Sequence, residues 1–208
     1  MRYMKSLLLI FIWSLSCSGT TVCDHRSLTK QLKYLFKADI YCGEMGCAQR
    51  ILIRQPPSES LAESLVAVDD RTVMNRMHFT KEMRIQVLKE LLTFQYDSVK
   101  SDKFLYIRGR WKNVEDKNFT IEIEALYSFT RMLADGNPRI LPVLIDRKTK
   151  EIITGKRKEI NEIYNVYREW LTENEKTDFK DFKFPLTDSP YDWMGGDEDL
   201  NKYLKKSL

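Results

Sequence analysis

Ile160-Asn161-Glu162-Ile163-Tyr164-Asn165-Val166-Tyr167-Arg168-Glu169-Trp170-Leu171 carries the clearest periodicity in the chain and sets the expectation for its fold. Ile160, Ile163, Tyr164, Tyr167, Trp170 and Leu171 fall at i, i+3, i+4, i+7, i+10 and i+11, which is one face of an α-helix. Lys156, Arg157, Lys158, Glu159, Glu162, Arg168 and Glu169 take the remaining surface, so the helix packs on one side only.

Working outward, the same spacing recurs. Leu28, Leu32, Leu35 and Phe36 predict a helix over 26–38, which stops in the Gly-containing loop Cys42-Gly-Glu-Met-Gly-Cys47. Ile51 to Ile53 form a brief apolar run before Pro56-Pro57, which breaks regular structure and prepares a helix start at Ser58 or Ser60 with Leu61, Leu65 and Val68 on one face. Asp69 or Asp70 caps a short turn carrying Val73, Met74 and Met77, and Thr80 caps a helix lined by Met83, Val87, Leu88, Leu91, Leu92 and Phe94. Phe104 to Ile107 read as a strand. Phe119 to Leu133 fit both periods, since Phe119, Ile121 and Ile123 alternate while Phe119, Ile123, Leu126, Phe129 and Leu133 keep helical spacing; length favours the helix. Val143–Ile145 and Glu151–Ile153 flank a polar turn and make a small hairpin, 179–196 is irregular, and Asp197 opens a last helix closed by Lys205-Lys206. The expected fold is mainly α, an irregular helical bundle or short helical array with one small β-hairpin or strand pair, in a single domain over 26–208.

The N-terminus reads as an address. Arg2 and Lys5 precede an apolar run, Leu7 to Trp13, of signal-peptide length, and the serines and threonines from Ser14 arrive too early for the roughly 20 apolar residues of a membrane span. Ser14-Leu15-Ser16-Cys17 resembles a bacterial lipobox, with Ser14 where a leucine is usual and Leu15 one place late. The expectation is a signal peptide over 1–16, lipidation at Cys17 and a tether over 17–25, so that the mature chain sits at a bacterial envelope, periplasmic or surface-exposed.

Of the 208 residues 34 are basic and 30 acidic, giving a formal charge of +4 that drops by two when Arg2 and Lys5 are removed. Interleaved charges of this kind describe a solvated surface and disfavour a nucleic-acid partner, which needs a concentrated basic face. With Cys17 assigned to lipid, Cys23, Cys42 and Cys47 remain for an oxidising compartment, enough for one disulfide and one free thiol. Cys42 to Cys47 closes a small glycine-bearing loop, and Cys23 to Cys42 is the alternative. A zinc site with His25 lacks the usual ligand pairs, and no cofactor is expected.

No GxSxG, GxxxxGK[ST], GxGxxG or HExxH occurs, which removes the common hydrolase, nucleotide and zinc-protease signatures. His25 lies in the tether beside Cys23, His78 precedes a helix start, and Glu122 with Glu124 do not by their spacing define an acid and base pair. Tyr191, Trp193 and Met194, placed in an irregular acidic stretch, are either a core-filling arm or the anchors of a binding edge, the residue types that interfaces favour. The function expected is non-catalytic binding of a protein or peptide partner by a lipid-anchored envelope protein of the immunity or accessory type. The alternative is a secreted or periplasmic hydrolase with a site gathered from distant residues.

Overall fold

The computed structural model describes residues 32–43, 46–54, 65–67, 79–102, 119–135, 139–195, 200–204 and 208. Its elements are β1 (Leu35–Gly43), β2 (Gly46–Arg54), β3 (Leu65–Ala67), α1 (Lys81–Leu91), α2 (Ile121–Leu133), β4 (Leu144–Asp146), α3 (Arg157–Lys176) and β5 (Tyr191–Trp193), with short 3-10 turns at Leu92–Phe94 and Leu200–Tyr203. The strands pair antiparallel in two sheets, β1-β2-β3 and β4-β5. The chain is mixed α/β among these residues, which corrects the expectation of a mainly α bundle or array.

The correction begins at Leu35. Leu35, Phe36, Lys37 and Ala38 are all buried, so the first half of β1 is covered on both faces and lacks the alternation that marks a half-exposed strand. Four buried residues in a row fit a strand as well as the helix expected over 26–38. Ile51–Ile53, read as a brief apolar run, is the middle of the larger sheet, because β2 pairs with β1 on one side and β3 on the other. Its Ile51 and Ile53 are fully buried, as is Leu35 opposite Ile53. Ile40 stands at a register shift between the Asp39↔Gln49 and Tyr41↔Ala48 pairs, which gives β1 one residue more than its partner there. The helix expected from Ser58 or Ser60 fails at Leu65–Ala67, which is β3. Residues 26–31, 58–64 and 73–77, the strand expected at Phe104–Ile107 and the ends of the last helix lie outside the described residues; at Leu200–Tyr203 that helix is a 3-10 turn.

The helices follow the pattern more closely. Thr80 Oγ1 accepts from the Met83 N–H at 3.3 Å and starts α1 as a side-chain cap does. In α3 the buried residues are Ile160, Ile163, Tyr164, Tyr167, Trp170 and Leu171, the face that opened the reading. Nearly every residue of α2 is buried, which is what an all-round apolar helix in a core does. Phe129 of α2 meets Tyr167 and Trp170 of α3 edge to face, with centroids 5.0 and 5.7 Å apart.

The last turn of α3 ends in a Schellman arrangement without glycine. The Phe179 N–H donates to Asn174 C=O at 2.8 Å and the Asp178 N–H to Glu175 C=O at 3.3 Å, with Asp178 at φ 58° and Phe179 at φ 55°. This reversal turns Phe179 back onto Trp170 and Phe182. Downstream, the irregular 179–196 stretch contains β5, which pairs with β4 through Leu144↔Trp193 and Asp146↔Tyr191. Glu151–Ile153 does return beside β4, by one bridge at Ile145↔Ile152 and the Ile153 N–H to Leu144 C=O bond of 2.9 Å, but β5 is the strand partner.

Arg147 fastens this segment, its guanidinium donating to Thr187 C=O and Leu186 C=O at 2.7 Å each. Arg147→Ala is expected to lower unfolding stability by about 1–2 kcal/mol, as lost charge-assisted bonds on a partly exposed group should. Urea denaturation checks this, and an unchanged midpoint would mean that the segment is held without Arg147.

Candidate interaction surface around Tyr96

Three buried glutamates accept hydrogen bonds from backbone N–H groups of other elements. Glu90 of α1 accepts from the Tyr34 and Leu35 N–H groups at 2.9 and 3.2 Å, fixing the entry to β1. Glu124 accepts from the Ile51 N–H at 3.1 Å and from Ser101 Oγ at 2.7 Å, joining α2 to β2 and to the 100–102 segment. Glu122 receives both guanidinium nitrogens of Arg157, at 2.6 and 2.8 Å, and the Tyr96 N–H at 3.1 Å. Glu122 and Glu124 occupy the first turn of α2, where the helix macrodipole favours a carboxylate. Neither is arranged as an acid and base pair, since each is saturated by structural donors.

The Tyr96 bond is the one that reaches the surface. Phe94 to Asp97 form a turn closed by the Asp97 N–H to Phe94 C=O bond of 3.0 Å, with Gln95 at φ −53°, ψ 139° and Tyr96 at φ 69°. Those angles are a type II β-turn, whose third residue needs positive φ and is ordinarily glycine. Here it is a tyrosine with 63% of its surface exposed. A bulky residue in the left-handed region costs on the order of 1–2 kcal/mol and persists because its surroundings determine it.

Those surroundings come from every side. Lys37 of β1 pairs with Asp97 at 2.8 Å, the Ile121 N–H of α2 donates to Val99 C=O at 2.8 Å, and Gln95 Nε2 donates to Asn161 of α3 at 3.0 Å. Arg168 of α3 donates to Gln95 Oε1. The Arg157 guanidinium lies 5.6 Å from the Tyr96 ring centroid, and the Glu122 carboxylate raises its already high pKa. Val99, 39% exposed, adds a second apolar group two residues beyond the turn. The structure therefore holds Tyr96 outward on a fixed backbone.

The residues singled out from sequence fall elsewhere. Cys17, Cys23, His25 and His78 lie outside the described residues. Cys42 and Cys47 form a disulfide between directly opposed residues of β1 and β2, with Cα atoms 4.1 Å apart. Trp193 is 1% exposed; its Nε1 donates to Thr130 Oγ1 at 3.1 Å and Tyr167 Oη at 3.2 Å, and its ring meets Tyr127 at 5.6 Å. Met194 packs on Phe119 and Val143. Tyr191 is buried with its hydroxyl on Glu162. The 191–194 stretch thus serves the core, and among the described residues Tyr96, which no motif marked, is the exposed aromatic. Among the described residues no group of three or more His, Cys, Asp or Glu side chains is placed to hold a metal ion, and no helix is long and apolar enough to cross a membrane.

Burial, and then the bond to Glu162, pushes the Tyr191 hydroxyl up to about 12, and burial raises Tyr164 and Tyr167 as well. A phenol with a raised folded pKa contributes stability that is complete below its unfolded value near 10 and is lost as pH rises through the folded value. The urea midpoint is expected to stay level up to about pH 9.5 and fall across about pH 10–12, less steeply in Tyr191→Phe. A level midpoint through that window would contradict the buried placement of these rings.

Comparison with known proteins finds no matching family model, no similar curated protein and no similar solved structure. The functional reading therefore rests on this chain's own residues.

Proposed function

We propose that the chain is an exported protein, held at a bacterial envelope through a lipid on Cys17, that binds a protein or peptide partner through the face centred on Tyr96. The observation that carries the binding reading is the exposed tyrosine at φ 69° in a turn built for glycine, fixed from beneath by buried Glu122. Backbone strain of this kind collects at functional sites, and tyrosine beside arginine is the pairing that interface hot spots favour. The export reading is supported by the n-region, apolar run and Cys17 of the first seventeen residues. A hydrolase receives less support, because Ser101, a hydroxyl bonded to a buried carboxylate in this region, is 1% exposed and bonded inward to Glu124.

A photo-crosslinking phenylalanine analogue placed at position 96, in a host that exports the chain, tests the binding reading. The expected result is one discrete adduct that does not form from the same analogue at Lys148, an exposed turn residue. No adduct at 96, or the same adducts from both positions, would overturn it. Mass spectrometry of the mature N-terminus tests the anchor: a diacylated or triacylated Cys17 is expected, and an unmodified terminus beginning after Cys17 would remove the lipid.

A further inference from the structure

The charge around Tyr96 does not balance, and the imbalance has a sign. Arg157, Asn161, Tyr164 and Arg168 stand at i, i+4, i+7 and i+11 on α3 and so share one stripe, roughly 16 Å long at 1.5 Å per residue. The 94–97 turn lies along that stripe, with Tyr96 at the Arg157 end and Gln95 bonded to both Asn161 and Arg168. Lys37 is neutralised by Asp97, and Arg157 by the bidentate Glu122. Arg168 is different: it donates to Asn165 at 3.2 Å and to Gln95, and lies 5.6 Å from the Tyr164 ring centroid, all neutral groups. A guanidinium carries five N–H donors, and among the described residues Arg168 makes no direct ion pair with a carboxylate.

We propose that the partner of this face is an acidic peptide segment, which places a carboxylate on Arg168 and an aromatic or large aliphatic side chain against Tyr96 and Val99. The proposal rests on the binding reading above and names the chemistry of the partner. A nucleic acid fits less well, since neutralising a phosphate backbone takes several basic groups and this stripe offers one in surplus. A carboxylate matches the planar guanidinium fork, and the exposed ring beside it supplies the apolar contact that gives a single ion pair its affinity.

The probe is a phage-displayed library of random twelve-residue peptides selected on the full chain, with recovered peptides then assayed on Tyr96→Ala, Arg168→Gln and Arg168→Lys. The expected peptides carry Asp or Glu close to an aromatic or large aliphatic residue, lose binding to Tyr96→Ala, and bind Arg168→Gln about tenfold more weakly, with less loss for Arg168→Lys. Their affinity should fall with salt. Thermal melts of the three variants confirm that each is folded. Peptides lost with Tyr96→Ala but neutral or basic, or indifferent to Arg168→Gln, would overturn the acidic partner and leave the Tyr96 reading standing. Peptides indifferent to Tyr96→Ala would overturn both.

Discussion

Trp193→Ala is expected to lower unfolding stability by about 4 kcal/mol, within the range for truncating a large buried aromatic. The indole is 1% exposed and occupies the junction of β5 with α2 and α3, where its N–H donates to Thr130 and Tyr167 and its ring packs edge to face with Tyr127. Alanine would leave a cavity and remove two hydrogen bonds to groups that remain bonded to each other. Trp193→Phe keeps most of the volume and loses only the N–H, so its cost is expected near 1–2 kcal/mol. Chemical denaturation of both variants measures this. A Trp193→Ala protein as stable as the parent would mean that the side chain stands outside the core.

Glu122→Ala carries the second large effect, an expected loss of about 3 kcal/mol from removing the buried member of an ion pair and orphaning a backbone amide. Arg157 tempers the cost, because its side chain is 47% exposed and water replaces the carboxylate in part. The consequence for function differs from that of Trp193. Without Glu122 the Tyr96 N–H has lost its acceptor and the Arg157 guanidinium its anchor, so the turn should relax as well as the core weaken. Hydrogen exchange at the Tyr96 amide is expected to quicken at least tenfold more in Glu122→Ala than in Trp193→Ala at matched global stability. Equal exchange in both would mean that Glu122 supports only the core.

What the sequence could say about this fold depended on how each element is buried. The one-sided helix α3 was legible residue by residue, because its polar face is in water and its apolar face is not. α1 announced itself through Thr80 and α2 through its length. The hairpin was not legible: Leu35 to Ala38 are buried on both faces, and Lys37 among them is a charged residue buried on Asp97. The C-terminal stretch offered its aromatics without their partner, since Trp193 pairs with a strand 49 residues earlier.

The candidate site was hidden for a related reason. Gln95-Tyr96-Asp97 contains none of the glycine, proline or asparagine that signals a turn. Its shape is imposed by Glu122, 26 residues further on, and by α3 beyond that. The spacing of Glu122 and Glu124 defines no acid and base pair, and it gives no sign either that the Glu122 carboxylate stabilises backbone and an arginine. Asp97 and Ser98 are ordinary turn residues, but nothing local marks the positive φ at Tyr96, because much of what holds the strain lies far along the chain.

In the proposed binding role, Tyr96 is kept in its left-handed, exposed conformation for what it contacts and not for what it adds to stability. Tyr96→Gly tests this directly, since glycine adopts φ near 69° without steric cost and leaves the Glu122 bond to the backbone N–H available. Measured by urea denaturation, the variant is predicted to be as stable as the parent or more stable, by up to about 1 kcal/mol. A loss of more than about 1 kcal/mol would show that the ring is a structural member of the fold and would contradict the account.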